Sequence, residues 1–322
     1  MKQFVIALLA LVLAACATPP PAKEMTPVDT GKRIALTFDD VPRAAGAFQT
    51  PDERTRRIIA ALREAGADQV AFFVNPGHIA ERPGAERRIA AYTAAGHLIA
   101  NHSNTHPGLS ETPAELYLAD IDAAGVWLEG RKGYRPWFRY PYLDEGRADK
   151  AKRDAVRAGL ASRGLSDGYV TADASDWWLE QATIDAKDAG QPIDRAALRD
   201  LYVESHVGAA DFFDDLARRA IGRSPVHVML MHETDLAALF LPDLIAALRS
   251  DGWTIVSPDI AYADPIAAEA ARYDTPSAQG TLTEMIAWEK GLPAPRWYDR
   301  NDTKVLSALF RARVLHLPPT QE

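Results

Sequence analysis

Arg33-Ile34-Ala35-Leu36-Thr37-Phe38-Asp39-Asp40 is the stretch from which the fold of this chain can be read. Its first six residues form a β-rich run, and its last two are carboxylates delivered where that strand runs out. Further along, His102-Ser103-Asn104-Thr105-His106 sets two imidazoles four residues apart, a spacing that predicts both rings on one face of a single helical turn. One carboxylate with two imidazoles is a ligand set that zinc accepts, with a position left open for water. The second carboxylate can then stand beside that water as a base. These residues outline a metal-assisted hydrolase.

Outward from this stretch the pattern alternates. Thr50-Pro51-Asp52-Glu53 is a capping box with proline at the first helical position, and the helix it opens stops at Gly66. Val70 to Val74 is a continuous apolar run and reads as a buried strand. Ala85 to Ala95 is predicted helical and His97 to Ala100 a short strand that delivers His102. Thr112-Pro113-Ala114-Glu115 reads as a second capping box, opening a helix towards Glu129. Trp137 to Arg139 is strand-like, and Asp149 to Ala158 is helical up to Gly159. Tyr169 to Ala172, Val226 to Met231 and Trp253 to Val256 follow as strands.

Strands alternating with helices imply right-handed crossovers and a parallel sheet. Asp39, Asp40, His102, Arg139, Asp173 and His232 all fall at strand ends, the active-site geometry of an α/β barrel. An open doubly wound sheet is the competing architecture, and the spacing of these residues favours the barrel. Residues 32–262 read as the catalytic domain, with a helical insertion at about 179–223. Residues 263–322 read as an extension packing back on it through Trp288, Leu292 and Trp297.

With a net charge of −8 over 322 residues and no cluster of Lys and Arg, nucleic acid is excluded as a partner. At the N-terminus Lys2 precedes an apolar run from Phe4 to Ala15, too short to span a bilayer and read as a signal peptide, residues 1–15. Leu13-Ala14-Ala15-Cys16 looks like a bacterial lipobox, which predicts a lipid anchor on Cys16, the only cysteine. Residues 16–31, with Pro19-Pro20-Pro21 and Pro27, read as a tether. The expected location is the bacterial cell envelope. Ala17 after the cysteine resembles outer-membrane sorting, facing the periplasm.

Five segments in order resemble the polysaccharide deacetylase (NodB-like) family, also called carbohydrate esterase family 4. They are Thr37-Phe38-Asp39-Asp40, His102 to His106, Arg139-Tyr140-Pro141-Tyr142, Asp173-Ala174-Ser175-Asp176-Trp177 and Leu230-Met231-His232. The resemblance implies a distorted (β/α) TIM-like barrel. It makes Asp39 the catalytic base and Asp40, His102 and His106 the ligands of a divalent metal, Zn2+ first, with Co2+ or Ni2+ able to occupy the same set. Arg139 would hold the base carboxylate, and the Tyr142 N–H would serve as oxyanion donor. His232 would be the general acid, paired with Asp173 or Asp176, of which Asp173 is preferred because it ends a predicted strand. Trp177 would wall the site and Leu230 would face the acetyl methyl. The implied substrate is an acetylated saccharide, an N-acetylated amino sugar above others, releasing acetate.

Two glycines usual in this family are absent, with Val41 and Leu143 in their places, and Glu233 follows His232 where Asp is common. Both glycine replacements are expected to put side chains near the groove and narrow it. The alternatives are an esterase or amidase for O-acetylated or non-sugar compounds, which an apolar leaving-group side would favour, and an inactive glycan-binding envelope lipoprotein.

Overall fold

The computed structural model describes residues 31–318, so the signal peptide, Cys16 and all of the tether but Gly31 lie outside the described residues. Among the described residues eight strands, all parallel, form one sheet: β1 (Arg33–Val41), β2 (Ala71–Val74), β3 (Leu98–Asn101), β4 (Tyr134–Phe138), β5 (Ser166–Asp167), β6 (Ala172–Asp173), β7 (Val226–His232) and β8 (Thr254–Ile255). Their order is β5-β4-β3-β2-β1-β7-β6, with β8 also on β1. The two ends of this path are the two ends of one short segment. Residues 166–173 start on β4 and finish on β7, with the Gly168 N–H donating to Phe138 O at 2.6 Å and the Thr171 N–H to Val228 O at 3.0 Å. The sheet thus curls into a distorted α/β barrel whose last wall is a single irregular strand.

The strand interiors are apolar on both faces, yet period two still sorts them. Ala71, Phe73, Leu98, Ala100 and Trp137 form one cluster inside the barrel. Phe72, Val74 and Ile99 join the larger core beneath the helices, where Phe72 stacks on Phe38 and Tyr92. The helices are α1 (Pro51–Glu64), α2 (Ala85–Ala94), α3 (Ala114–Leu128), α4 (Lys150–Ser162), α5 (Asp176–Asp188), α6 (Arg195–Ile221), α7 (Asp235–Ser250), α8 (Pro258–Tyr262), α9 (Ala267–Ala270), α10 (Leu282–Glu289) and α11 (Thr303–Leu309). The Thr50 capping box opens α1 as expected.

Three local expectations change. The second capping box does not form: Pro113 precedes α3, and the Thr112 hydroxyl is already donated to Gly108 O. Helix α4 does not stop at Gly159 but runs on to Ser162. A Cβ at Gly159 would come within 2.6 Å of the Leu118 side chain, so this glycine serves the close approach of α3 and α4. The strand expected from Tyr169 shortens to β6, because residues 168–171 turn from one neighbouring strand to the other.

The extension beyond residue 262 repairs the irregular wall. Leu282 N–H donates to Val170 O and Thr283 Oγ1 to Thr171 O, while Ala278 O accepts from Glu145 N–H. It is anchored through Leu282, Met285, Ile286, Leu306 and Phe310. Of the expected anchors, Leu292 packs against the core, whereas Trp288 and Trp297 are exposed, with Arg296 over the Trp288 ring.

Gly168 is where the closing segment passes closest to the interior. A Cβ there would sit 2.7 Å from the Phe73 ring and 3.1 Å from Phe138 O. Gly168→Ala is therefore expected to lower stability by about 1–3 kcal/mol, the usual cost of overpacking. Urea unfolding of the two proteins checks this, and an unchanged midpoint would mean that the wall is looser than described.

Candidate active site

Asp39 and Asp40 are adjacent in β1 and in a regular strand would face opposite sides. The register against β2 slips here: Phe38 is opposite Phe72 but Val41 is opposite Val74, one residue more on β1 than on β2. Asp40 takes up the extra length with φ 63°, and such a bulge re-aims side chains. Both carboxylates consequently reach the same imidazole: His102 Nε2 is 3.6 Å from Asp39 Oδ2 and 3.5 Å from Asp40 Oδ1.

The two imidazoles do not share a helical turn, as their spacing suggested. Residues 102–108 form a loop in which Ser103 and His106 have φ of 65° and 62°. Side chains hold that loop open. Asn101 Oδ1 accepts from Ser103 N–H, the Asp120 carboxylate from the Asn104 and Thr105 N–H groups, and Ser103 Oγ from His106 N–H. Asn75 Nδ2 donates to the His102 and Ser103 carbonyls.

Asp40, His102 and His106 offer three ligand atoms within 4.8 Å of one another. Nδ1 of His102 lies 2.9 Å from Arg139 O, and a carbonyl only accepts, so Nδ1 carries hydrogen and Nε2 presents its lone pair. Asp40 Oδ1 is buried, accepts no hydrogen bond, and stands 3.0 Å from His106 Nε2. Acceptors converging on a buried point fit a divalent cation, and the one-carboxylate, two-imidazole set is a zinc-type donor set.

Beside them Arg139 is buried. It donates to Asp39 Oδ1 at 2.6 Å, to Thr37 Oγ1 at 2.8 Å, to Gly168 O at 2.7 Å and to Tyr262 Oη at 2.7 Å, with its guanidinium 3.8 Å above the Phe73 ring. Tyr142 (φ 59°) and Leu143 (φ 49°) form a tight turn, and the 63 % exposed Tyr142 ring stands edge-on to His106.

On the far side, His232 ends β7. Asp176, in the first turn of α5, accepts from both its backbone N–H at 2.8 Å and its ring Nδ1 at 2.7 Å. Burial opposes charge on this imidazole, but the Asp176 charge and hydrogen bond outweigh it and raise the pKa to about 9. The partner of His232 is thus Asp176 and not Asp173, which was preferred from the sequence. Asp173 bends back to accept Ser175 N–H at 2.9 Å, and burial pushes it up to about 6.

Asp39, Asp40, His102, His106, Asp173 and His232 line a cleft of about 580 Å³, with Trp177 and Leu230 on its walls, while Arg139 and Asp176 stand behind them. Leu143 reaches it, whereas Val41 is buried in the core and does not narrow it. Sequence reasoning missed Arg43 and Gln181, and also Gln279, Glu284 and Asn301 of the C-terminal extension. Arg43 could have been noticed from its place three residues after Asp40. The tail residues carry no local signal.

Residues 27–162 match the polysaccharide deacetylase family. A chitooligosaccharide deacetylase of Rhizobium leguminosarum bv. trifolii is 37% identical over 90 residues, 28% of this chain, and the match spans only 36% of that enzyme's length. Among solved structures, the family 4 carbohydrate esterase of Streptomyces lividans in complex with acetate is 22% identical. It is matched over 73% of this chain and 97% of its own, with a TM-score of 0.44. A family 4 pseudoenzyme of Bacillus anthracis is 20% identical over 70% of this chain and 64% of its own, with a TM-score of 0.48.

The pairing of His232 with Asp176 has a readable consequence. Removing the charge in Asp176→Asn leaves burial as the main influence, which disfavours the imidazolium. The ring should then lose its proton below its ordinary value of about 6.5 instead of near pH 9. An NMR titration of the ring carbons tests this, and a titration still near 9 would contradict the pairing.

Proposed function

Because residues 27–162 belong to the polysaccharide deacetylase family, we propose that this chain is a metal-dependent deacetylase of an acetylated carbohydrate, an N-acetylated amino sugar above others. The observation that carries the reading is the convergence of Asp40 Oδ1 and the His102 and His106 rings beside a separate carboxylate held by arginine. Asp40, His102 and His106 would hold the metal, zinc by preference, which when bound supplies Lewis-acid polarisation and a more acidic water.

Asp39 is the base. Arg139 occupies its Oδ1, so Oδ2, on the His102 side, is the oxygen left to take the proton of the attacking water. The Tyr142 N–H donates to the carbonyl oxygen as charge develops on it. His232, charged at neutral pH, gives its proton to the departing sugar nitrogen, and Asp176 keeps the ring oriented and charged. Leu230 faces the acetyl methyl, and the 43 % exposed Trp177 offers its ring to a sugar face. Acetate and the free amine are the products. Asp173 makes no hydrogen bond to Asp39 or His232 and receives no step.

The composition of the walls bears on the alternatives. Gln181, Gln279 and Asn301 line the cleft with amides suited to hydroxyl groups, which favours a sugar over an apolar acetyl compound. A complete base and acid argue against a purely glycan-binding protein.

Acetate release from N-acetylglucosamine oligomers by the zinc-loaded protein tests the reading. It should be abolished by chelation and restored by zinc or cobalt. Asp39→Asn should lower kcat by about 10²–10⁴-fold, the usual contribution of a general base, while zinc stays bound. Zinc binding without acetate release from any N-acetylated sugar would move the substrate to O-acetyl or non-sugar compounds. Neither zinc nor release would end the proposal.

A further inference from the structure

The wall that the C-terminal extension adds to the cleft carries one charged side chain, Glu284. Its place follows from the sheet. Asp39 of β1 is opposite His232 of β7, and Asp173 of β6 is opposite Leu230, two residues before that histidine. The extension joins next, bonding to Val170 and Thr171. Glu284 therefore stands beside Asp173, on the His232 side of the cleft. We propose that Glu284 is a specificity-determining residue whose carboxylate accepts hydrogen bonds from hydroxyl groups of the sugar that bears the leaving nitrogen. A substrate would then have to present those hydroxyls unsubstituted. The inference rests on the deacetylase reading for the identity of the sugar, but not for the binding of its hydroxyl groups.

The helix sets the position of this carboxyl. Glu284 is the third residue of α10 and closes a capping box with Thr281: the Thr281 N–H donates to Glu284 Oε2 at 2.6 Å, and the Glu284 N–H donates to Thr281 Oγ1 at 3.2 Å. Gly280 (φ 120°) makes room for it, since a Cβ there would come within 2.6 Å of Oε2. The other polar residues of this wall are tied to the loops on either side. Gln279 Nε2 donates to the Tyr142 carbonyl at 3.3 Å, and Asn301 Oδ1 accepts from Ser175 Oγ at 3.2 Å.

Glu284 is short of donors. A carboxylate offers about four acceptor positions, and among the described residues Thr281 alone donates to this one. No Lys, Arg or His among them pairs with it, and burial together with neighbouring Asp173 pushes its pKa up to about 7. Asp173 gives no relief, because the His232 charge that it feels is already bonded to Asp176. Hydroxyl donors of a bound sugar would supply what the protein does not and offset the burial of the charge. Trp177 lines the same cleft, and a pyranose that lays its face on the indole directs its hydroxyls sideways, to the polar walls. Glu284 lies outside residues 27–162, so this selectivity would belong to the extension and not to the segment that matches the family.

The test compares kcat and KM of the zinc-loaded protein on three N-acetylglucosamine oligomers of equal length: unmodified, 3-O-methylated and 6-O-methylated. The unmodified oligomer should exceed at least one methylated oligomer in kcat/KM by about tenfold, the worth of a hydrogen bond to a charged group. The oligomer that suffers identifies the hydroxyl. In Glu284→Gln, which keeps an acceptor and can still close the capping box, that preference should fall to about threefold with the thermal midpoint unchanged. In Glu284→Ala it should vanish, mainly through a higher KM on the unmodified oligomer. The preference is a ratio within each protein, so a loss of stability in Glu284→Ala leaves it readable. No preference in the parent protein, or an equal loss on all three oligomers in both variants, overturns the proposal. If no oligomer is deacetylated, calorimetric titration with the same three oligomers still reads the wall. Binding of the unmodified oligomer weakened by Glu284→Ala, with the affected methylated one unchanged, sustains the proposal. Absent binding, or binding indifferent to the substitution, overturns it.

Discussion

The buried pair of Arg139 and Asp39 is the interaction on which the site depends. A carboxylate and a guanidinium withdrawn from water cost more than their attraction returns unless their remaining donors and acceptors are satisfied. Arg139 meets that condition through Thr37 of β1, Gly168 of the closing segment and Tyr262 of α8, with the Phe73 ring beneath. The same residue offers its carbonyl to His102 Nδ1. One position after β4 therefore orients the proposed base, Asp39, through its side chain and a proposed metal ligand, His102, through its backbone, and it also pins the irregular wall. Loss of the guanidinium would leave Asp39 buried and unpaired, a change that typically costs about 3–5 kcal/mol and would strike fold and chemistry together.

The backbone around the cleft is held in conformations that side-chain-bearing residues rarely adopt. Asp40, Ser103, His106, Tyr142, Leu143 and Ser175 all have positive φ, and all lie at or next to the cleft. Such residues cost of order 1 kcal/mol or more each and persist only where surrounding bonds over-determine them. The bonds are present: Asn75, Asn101 and Asp120 grip the histidine loop, and Asp144 accepts from Ser110 and Gly146 around the tyrosine turn. Leu143 sits at a left-handed position where the resemblance expects glycine, so this chain carries extra strain there and gains an apolar side chain in the cleft.

What could be read in the sequence follows from this division. Apart from β5, which was not expected, and the extent of β6, the strands were legible, as was the set Asp39, Asp40, His102, His106, Arg139 and His232, because strand ends and ligand chemistry are local. The bulge was not, since a one-residue slip against β2 leaves no mark in β1 itself. The choice between Asp173 and Asp176 was misjudged for the same reason. Strand-end position favoured Asp173, but a carboxylate in the first turn of α5 is set by the helix start to meet both the backbone and the ring of His232. Val41 was expected near the groove, yet it is the residue that rejoins the register and turns inward.

Chemistry and selectivity also come from different lengths of chain. Residues 27–162, the segment that matches the family, contain both carboxylates, both imidazoles, Arg139 and Tyr142. Asp176, Trp177, Gln181, Leu230 and His232 come later, and Gln279, Glu284 and Asn301 come from a tail that hydrogen-bonds to the irregular wall and packs on the core. A closed, regular barrel would have offered that tail no unpaired backbone at residues 170 and 171. The distortion that lets the barrel close on one short segment is thus also what admits a further wall to the cleft. Through that wall the far side of the cleft can change without touching Asp39, Asp40, His102, His106 or His232.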